Sequence, residues 1–587
     1  MINWIHPGLL LILGALLIPL IKGKAKKICM VALPAAALID CVLMSPGAYG
    51  VVHFLNYNLV FGRVDRLSLI FSYVFSIMAV IGIVYSLHVE DDSQHVAALT
   101  YIGGALGVTF AGDFLTLFIF WELMAFSSVF LVWLKRSKES IAAGFRYLLV
   151  HIFGGLSLLG GIAIHYAQTG SIEFNSMMPY AGGLAFYLIM IGFILNAAVP
   201  PLGAWLADAY PEATVTGAVF MTAFTTKSAV YVLIRGFPGT ELLVWLGAIM
   251  AIYGVVFAVL ENDARRLLAY HIISQVGYMV CGVGIGTEMA LNGSSAHAFA
   301  HILYKGLLFM GAGAVMQMTG KRKLTEMGGI YKTMPVTMVL YMIGGFSISA
   351  VPLFSGFVSK SMVVSAAGET HRQAIFLMLT LASAGTFLHT GLKLPYYMFF
   401  GKDSGIRTKE PPKNMLIAMG LASFLCIFIG VFPNALYSVL PFPVEYVPYT
   451  AQHVMATMGL LSFTALGFFM LLKQLDPELT ISIDTDWFYR KGAKAFMWLT
   501  NKPIANIEYN FIGEIYEFIV QKPIMKIAEI LKLFDTEVVD GTVNGIGKGT
   551  VRWSRVMQFM QSGQVQQYAL IMAAGVIAII AMVVMYF

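Results

Sequence analysis

Apolar runs of about 20 residues follow one another along almost the whole chain, and no other feature restricts its fold so severely. They fall at roughly 7–21, 28–46, 65–87, 95–110, 114–134, 143–167, 183–204, 214–235, 241–260, 267–286, 295–318, 334–369, 373–400, 414–436, 451–473 and 566–586. Each is long enough to cross ~30 Å of hydrocarbon as a helix. A backbone inside a bilayer must satisfy its own hydrogen bonds, which leaves helices or closed barrels. The alternating ten-residue strands of a barrel are absent. The expected fold is therefore an all-α polytopic membrane protein of about sixteen transmembrane helices. Composition agrees, since 58% of the 587 residues are hydrophobic and only 12% are charged, about half the charged fraction of a soluble domain.

Loop charges orient these spans. With the N-terminus outside, the loops after odd-numbered spans are cytoplasmic. They carry Lys22, Lys24, Lys26 and Lys27, then Lys135, Arg136 and Lys138, then Arg265 and Arg266. Further along they carry Lys321, Arg322, Lys323 and Lys332, and finally Lys402, Arg407, Lys409 and Lys413. The opposite loops hold little beyond Arg63, Arg235 and Arg372. This is a positive-inside pattern, expected for a multi-pass protein of a prokaryotic cytoplasmic membrane with both termini outside. The net charge of +6 thus reflects loop topology rather than a nucleic-acid surface. Cys29, Cys41, Cys281 and Cys426 are scattered without a CxxC pair, so no metal or iron–sulfur site is expected, and no cofactor motif appears. The first apolar run lacks the basic start and cleavage site of a signal peptide.

Charged side chains nevertheless intrude into the spans. His297, His301 and Lys305 are four residues apart and share one helix face. Glu122 lies about nine residues inside its span, and Lys227 and Lys360 stand within two others. Ionisable groups at such depth are costly and most often mark an ion or proton path. Glu122 and Lys227 are expected to pair. Lys305, with His301 and His297, forms the central step of a relay, and Lys360 the terminal donor or acceptor. His151, His389 and Lys393 are further groups able to line a wet path. The bland readings are a structural salt bridge for Glu122, hydrogen-bonded core histidines, and snorkelling for Lys360. Asp113 and Arg146 sit near span ends and read as interface anchors.

Two spans are interrupted alike. One reads Asn196-Ala197-Ala198-Val199-Pro200-Pro201-Leu202 and the other Ser349-Ala350-Val351-Pro352-Leu353. Pro200, Pro201 and Pro352 remove backbone hydrogen bonds and open their helices. Paired broken helices point to a transporter built from inverted repeats. The offset of 152 between Pro200 and Pro352 carries Glu122 to Ser274, another possible path-lining position. Residues 1–94 hold spans 1–3 and residues 401–474 spans 14–15. In 475–562 a polar connection leads into an amphipathic helix with Ile507, Phe511, Ile515, Phe518, Ile524, Ile527, Leu531, Phe534 and Val538 at helical spacing. Pro523 and the glycines at 541, 545, 547 and 549 are expected to kink or break it. Residues 563–587 supply a last anchor span.

Trp121-Glu122-Leu123-Met124, Trp205-Leu206-Ala207-Asp208-Ala209, Lys227, the His301/Lys305 helix and Gly356-Phe357-Val358-Ser359-Lys360 together resemble the antiporter-like subunits of respiratory complex I and of Mrp-type Na⁺/H⁺ antiporters. The resemblance spans about residues 60–475, closest to the Mrp D-subunit type. Val539-Asp540-Gly541-Thr542-Val543-Asn544-Gly545 and Ser562-Gly563-Gln564-Val565 extend it, looking like the lateral helix and anchor of the largest complex I antiporter-like subunit. It implies fourteen core helices, with spans 4–8 (95–236) and spans 9–13 (237–400) as two inverted five-helix repeats, and a hydrated axis parallel to the membrane, on which Glu122, Lys227, Lys305 and Lys360 take the family's charged places. It departs at Asn196, where the family usually has a lysine. Lys227 also matches a lysine position of the family and would carry the pairing alone.

The leading functional expectation is a proton- or Na⁺/H⁺-translocating subunit of a complex I-like, hydrogenase-like or Mrp-like assembly, energised by its neighbours. It would carry no redox chemistry of its own. A neighbouring antiporter-like subunit beneath the lateral helix, on the cytoplasmic side, and lipids are the expected partners. The alternative is a membrane scaffold for a partner enzyme, such as one of inorganic-carbon uptake, with little flux of its own.

Overall fold

The computed structural model describes residues 4–478 and 484–586, in two compact units, Met1–Asp486 and Trp487–Phe587. The first opens with α1 (Pro7–Leu17), α2 (Gly23–Leu43), a hairpin of β1 (Gly47–Phe54) and β2 (Tyr57–Val64), and α3 (Arg66–Ser86). Then come α4 (Asp92–Phe110), α5 (Phe114–Trp133), α6 (Lys138–Thr169), α7 (Leu184–Asn196), α8 (Ala204–Ala209), α9 (Val215–Ala223) and α10 (Thr225–Gly236). The next group is α11 (Glu241–Leu260), α12 (Ala264–Ile285), α13 (Glu288–Thr319), α14 (Pro335–Ile348), α15 (Ser355–Glu369) and α16 (Gln373–Thr386). The helix of α16 continues to Phe400 through wide turns, and α17 (Lys413–Val431), α18 (Asn434–Tyr437) and α19 (Ala451–Met470) close the unit. Among the described residues eleven helices are long and apolar enough to cross a membrane, with three shorter apolar ones, Pro7–Leu20, Leu184–Asn196 and Pro335–Ile348. The hairpin is an addition to the expected all-helical fold; its strands pair from Gly47↔Val64 to Phe54↔Tyr57.

Local chemistry sets the ends. Asp65 with Ser68 and Ser137 with Ser140 form reciprocal caps at the starts of α3 and α6. Asp113 and Asp263 cap α5 and α12. Asp113 is thus a buried cap, also accepting from the backbone N–H of Val60 at 2.7 Å. Gly170 and Gly320, both left-handed, end α6 and α13. These features recur at a constant spacing: α6 and α13 are each 32 residues long and begin 150 residues apart. The isolated bridges Asp113↔Glu173 and Asp263↔Lys323 keep that spacing. The breaks also match, for Ala198 (φ 60°) and Ala350 (φ 58°) take the same left-handed conformation.

Loop ion pairs sort the turns onto two faces. One face joins Lys26 to Asp92 (2.6 Å), Lys135 to Glu212 (2.6 Å), Arg322 to Glu212 (2.9 Å) and to Asp263 (2.6 Å), and Lys332 to Asp403 (2.6 Å). The other joins Arg235 to Asp65 (2.8 Å) and Arg372 to Glu241 (2.7 Å). Successive long helices therefore run in alternate directions, as spans must.

Glu212 yields a test of the first face. Burial alone would raise its carboxyl, but hydrogen bonds from Lys135 and Arg322 prevail and hold it below its ordinary 4.5. A depressed folded value stabilises above the unfolded value and is lost as pH falls through the folded one. Wild-type Tm is therefore expected to fall more steeply below pH 4.5 than that of Glu212→Gln, followed by scanning fluorimetry. Superimposable acid limbs would refute the assignment.

In the second unit, residues 486–560 are helical without interruption, starting well before the periodicity first signals a helix at Ile507. Wide turns at Thr500–Ile504, Glu508–Gly513, Glu517–Gln521 and Phe534–Asp540 punctuate it. Pro503 lies within one wide turn and Pro523 just after another, so the missing N–H groups are absorbed without the expected break. Val565–Tyr586 follows as a helix of spanning length.

Candidate functional site

The two breaks are built alike. At the first, α7 ends at Asn196, and the Leu195 carbonyl accepts both the Ala198 N–H and the Trp205 indole N–H, each at 3.0 Å, which ties the re-entering helix to the broken end. A Cβ on Gly203 would lie 2.2 Å from the Ala198 carbonyl oxygen. At the second, a Cβ on Gly356 would lie 1.8 Å from the Ser347 carbonyl oxygen. Glycine is required at both so that the re-entering helix can sit on the end of the broken one. The span containing α9 and α10 is also interrupted, at Phe224 (φ −102°, ψ −64°), without a proline. Tyr101 marks this break, its hydroxyl 2.6 Å from Thr225 Oγ1.

Lys227 follows that break directly. Fully buried, its Nζ donates to the Thr222 carbonyl at 2.7 Å and to Thr226 Oγ1 at 3.0 Å. Glu122 is half-buried against α6, where a Cβ on Gly155 would meet Glu122 Oε1 at 2.0 Å. That oxygen has no hydrogen-bond partner among the described residues, and Glu122 forms no ion pair with them. The expected Glu122–Lys227 contact is thus not made here, because the carbonyl and hydroxyl at the Phe224 break already hold the ammonium. Arg146 instead makes a two-pronged ion pair with Asp208 (2.7 and 2.9 Å). His151 donates Nδ1–H to the Tyr147 carbonyl (2.8 Å), stacks on the Tyr147 ring and abuts Trp205 beside the first break. Asn196 is buried with neither amide atom hydrogen-bonded to a described residue.

The stripe on α13 is completely buried. His297 Nδ1 lies 3.5 Å from Ser359 Oγ, and its ring is 6.0 Å from that of His301, which meets Tyr304 edge-on at 5.3 Å. Lys227 lies near enough to His297, His301 and Lys305 to interact electrostatically. Lys305 Nζ is 3.2 Å from Nδ1 of His271, a residue that the sequence reading passes over. Its signal was the internal spacing: at the 150-residue offset of the helix starts, Glu122 maps to Ile272, beside His271. Ser274, reached with the offset of the prolines, packs its backbone on Gly254 of α11. His271 in turn meets the His389 ring at 4.8 Å. Lys393 donates to the carbonyls of Val259 (2.5 Å) and Glu261 (3.4 Å) on the Asp263 face.

Lys360, one turn past the second break, places its ammonium 5.7 Å from the centre of the Tyr278 ring and hydrogen-bonds to no described residue. It borders a cavity of about 250 Å³ with Ser361, Ser365, Thr380, Ser383 and His453. Lys227, His297, His301, Lys305 and Lys360 thus converge from α10, α13 and α15, whereas Glu122 and His151 lie apart on α5 and α6. No group of acidic, histidine or cysteine side chains suited to a metal occurs among the described residues.

Known proteins share this architecture. An archaeal respiratory membrane complex, the membrane-bound sulfane sulfur reductase, contains a chain that superposes with a TM-score of 0.69 at 22% identity, covering 98% of this chain and 99% of that one. A chain of the Mrp complex from Dietzia sp. superposes with a TM-score of 0.62 at 21% identity, covering 79% and 94%. An uncharacterized protein of Methanocaldococcus jannaschii is 27% identical over 453 residues, 72% of this chain and 93% of its own length. An Na⁺/H⁺ antiporter subunit of Alkalihalophilus pseudofirmus is 29% identical over 424 residues, 64% of this chain; the match spans 52%, about half, of that longer protein. The family model described as NADH:quinone oxidoreductase/Mrp antiporter, transmembrane, matches residues 111–387, which hold both broken helices and every buried lysine named above except Lys393. Residues 111–387 thus match the antiporter-like membrane family of NADH:quinone oxidoreductases and Mrp antiporters.

Proposed function

We propose that the chain translocates protons, with Na⁺/H⁺ exchange as the variant to test, along a mid-membrane relay of Glu122, Lys227, His301 with His297, Lys305 and Lys360. One observation carries this: Lys227 on α10, His297, His301 and Lys305 on α13 and Lys360 on α15 are all buried, on separate helices, and near enough for Lys227 to interact with each member of the α13 stripe and Lys360 with His297. Unpaired charges at such depth are too costly to keep for packing alone. Asn196, His151 and Ser274 would line the axis, and the orphaned polar atoms of Asn196, His301 and Lys360 are those that water along it would satisfy. Glu122, free of the Lys227 contact here, would gate the first step by moving toward that lysine.

The chain would act as one membrane component of a larger assembly of complex I-like, hydrogenase-like or Mrp-like kind, supported by relatives named as antiporter subunits and by matching chains in multi-subunit complexes. The amphipathic helix along 507–560 would lie on the cytoplasmic side against a neighbouring subunit, in a prokaryotic inner membrane, with the Glu212–Arg322 face inward. The test is proton flux into liposomes holding the purified complex, driven by a K⁺ diffusion potential and read with an entrapped pH dye, beside uptake of radiolabelled Na⁺. Glu122→Gln is expected to cut proton flux about tenfold with assembly intact. Full flux in that variant would favour the scaffold reading.

A further inference from the structure

His271 has no place in the relay just described, yet it touches the relay's central residue and leads away from it. Resting on that proposed relay, we propose that His271, His389 and Lys393 form a side branch carrying protons between Lys305 and the face that bears Glu261, Asp263 and Arg322.

The atoms are arranged for hand-over. His271 presents Nδ1 to Lys305 Nζ at 3.2 Å and Nε2 to Thr386 Oγ1 at 3.3 Å, so its two ring nitrogens face opposite neighbours. Gln275 fixes the same hydroxyl from one turn further along α12, at 3.2 Å. The His389 ring stands 4.8 Å from that of His271 and almost perpendicular to it. His389 Nδ1 pairs with Thr390 Oγ1 at 2.7 Å, whereas its Nε2 is buried with no hydrogen-bond partner among the described residues. Lys393 lies four residues further on and ends the path at the Val259 and Glu261 carbonyls. All four charged or imidazole groups are at least 96% buried, so each would be an expensive ornament if it served packing alone.

Two further observations point the same way. Phe387–Lys393 is the first of two wide-turn segments in the continuation of α16, and such segments re-aim side chains and gather at functional sites. One turn beyond Lys393, Tyr396 and Tyr397 line an open cavity of about 380 Å³ with Thr325, Lys402, Lys473 and Asp476. This gives water an approach on the face where Thr325 meets Asn262 at 3.2 Å, beside Glu261.

A proton moving inward leaves the Lys393 ammonium for His389, and Lys393 is recharged from the cavity side. His389 passes it to His271 Nε2, and the Nδ1 proton of His271 moves to a neutral Lys305 Nζ. Each carrier gains one proton and gives up one. An imidazole with a partner on each nitrogen suits this role, because entry at one nitrogen releases a proton at the other. The groups facing His271 from the packed elements are Lys305 and, electrostatically, His301 on α13, Lys360 on α15, and His389 on the α16 continuation.

The test is the same potential-driven flux on the intact reconstituted complex. His271→Gln keeps an amide within reach of Lys305 and Thr386 but cannot pass a proton, and Lys393→Met removes the terminal carrier. Each is expected to lower flux about tenfold at unchanged Tm. External imidazole should restore His271→Ala and leave Lys305→Met unaffected, a response that a packing role cannot produce. Wild-type flux in His271→Gln or Lys393→Met, or an His271→Ala defect that imidazole does not restore, overturns the branch. If Lys305→Met still abolishes flux in that case, the relay itself stands. Wild-type flux in all of them, or a wild-type complex that carries no protons under the applied potential, overturns branch and relay together.

Discussion

Lys305→Met is expected to lower potential-driven proton flux about a hundredfold while leaving Tm equal to or above that of wild type. The two halves of this result have one cause. Lys305 is wholly buried, its Nζ lies 3.2 Å from His271 Nδ1, and its ammonium lies 5.8 Å from the Phe309 ring centre. Desolvating that ammonium costs several kcal/mol, of order what a buried charge loses on leaving water, and one imidazole and one ring face return only part of it. Methionine has nearly the same length and volume and no charge to desolvate, so packing is kept and the penalty removed. The stripe from His297 to His271, however, then lacks the residue on which relay and side branch converge. A large fall in flux together with a large fall in Tm would mean that Lys305 holds the helices together rather than carrying protons. Unchanged flux would remove the central step from the mechanism.

The breadth of this site was only partly legible in the sequence. His297, His301 and Lys305 declared themselves because charge at helical spacing in an apolar run has few structural uses. Lys360 and the two broken helices were legible for the same reason, proline being conspicuous in mid-span. His271 was not, since one histidine in a long apolar helix most often belongs to the core, and only the partner on α13 distinguishes it. The interruption at Phe224 carries no proline or glycine, so nothing local announces it; its signature is the tertiary contact from Tyr101 to Thr225. The hairpin of β1 and β2 escaped notice because alternation is hard to see where apolar residues dominate. The amphipathic helix is expected from the sequence to kink or break at Pro523 and at the glycines 541, 545, 547 and 549, and the wide turns beside Pro523 and around Pro503 are a backbone adjustment with no residue code.

Arg265→Met should lower stability by about 1–3 kcal/mol, the cost of leaving a buried acceptor without its donor. Arg265 is 1% exposed, at the start of α12. Its Nη1 donates to the Ala213 carbonyl at 3.0 Å, and its Nη2 to those of Tyr210 and Thr214, each at 3.1 Å. The Tyr210 carbonyl also accepts from the Ala213 N–H (3.3 Å) and that of Thr214 from the Ala218 N–H (3.0 Å), so methionine would remove the donor from the Ala213 carbonyl and the second bond from the other two. Lysine, with a single ammonium and no fork, reaches fewer of them, and Arg265→Lys should fall between methionine and wild type. Scanning fluorimetry of the purified complex measures both variants, and a methionine variant melting with wild type would show that the turn holds itself. The consequence extends beyond stability. Thr214 caps α9 through a 3.0 Å bond from the Gly217 N–H, and α9 leads into the Phe224 break that aims Lys227 at Thr222. Loosening this turn should therefore lower proton flux in Arg265→Lys by more than its loss of folded protein explains, because the first lysine of the relay would no longer be held in place.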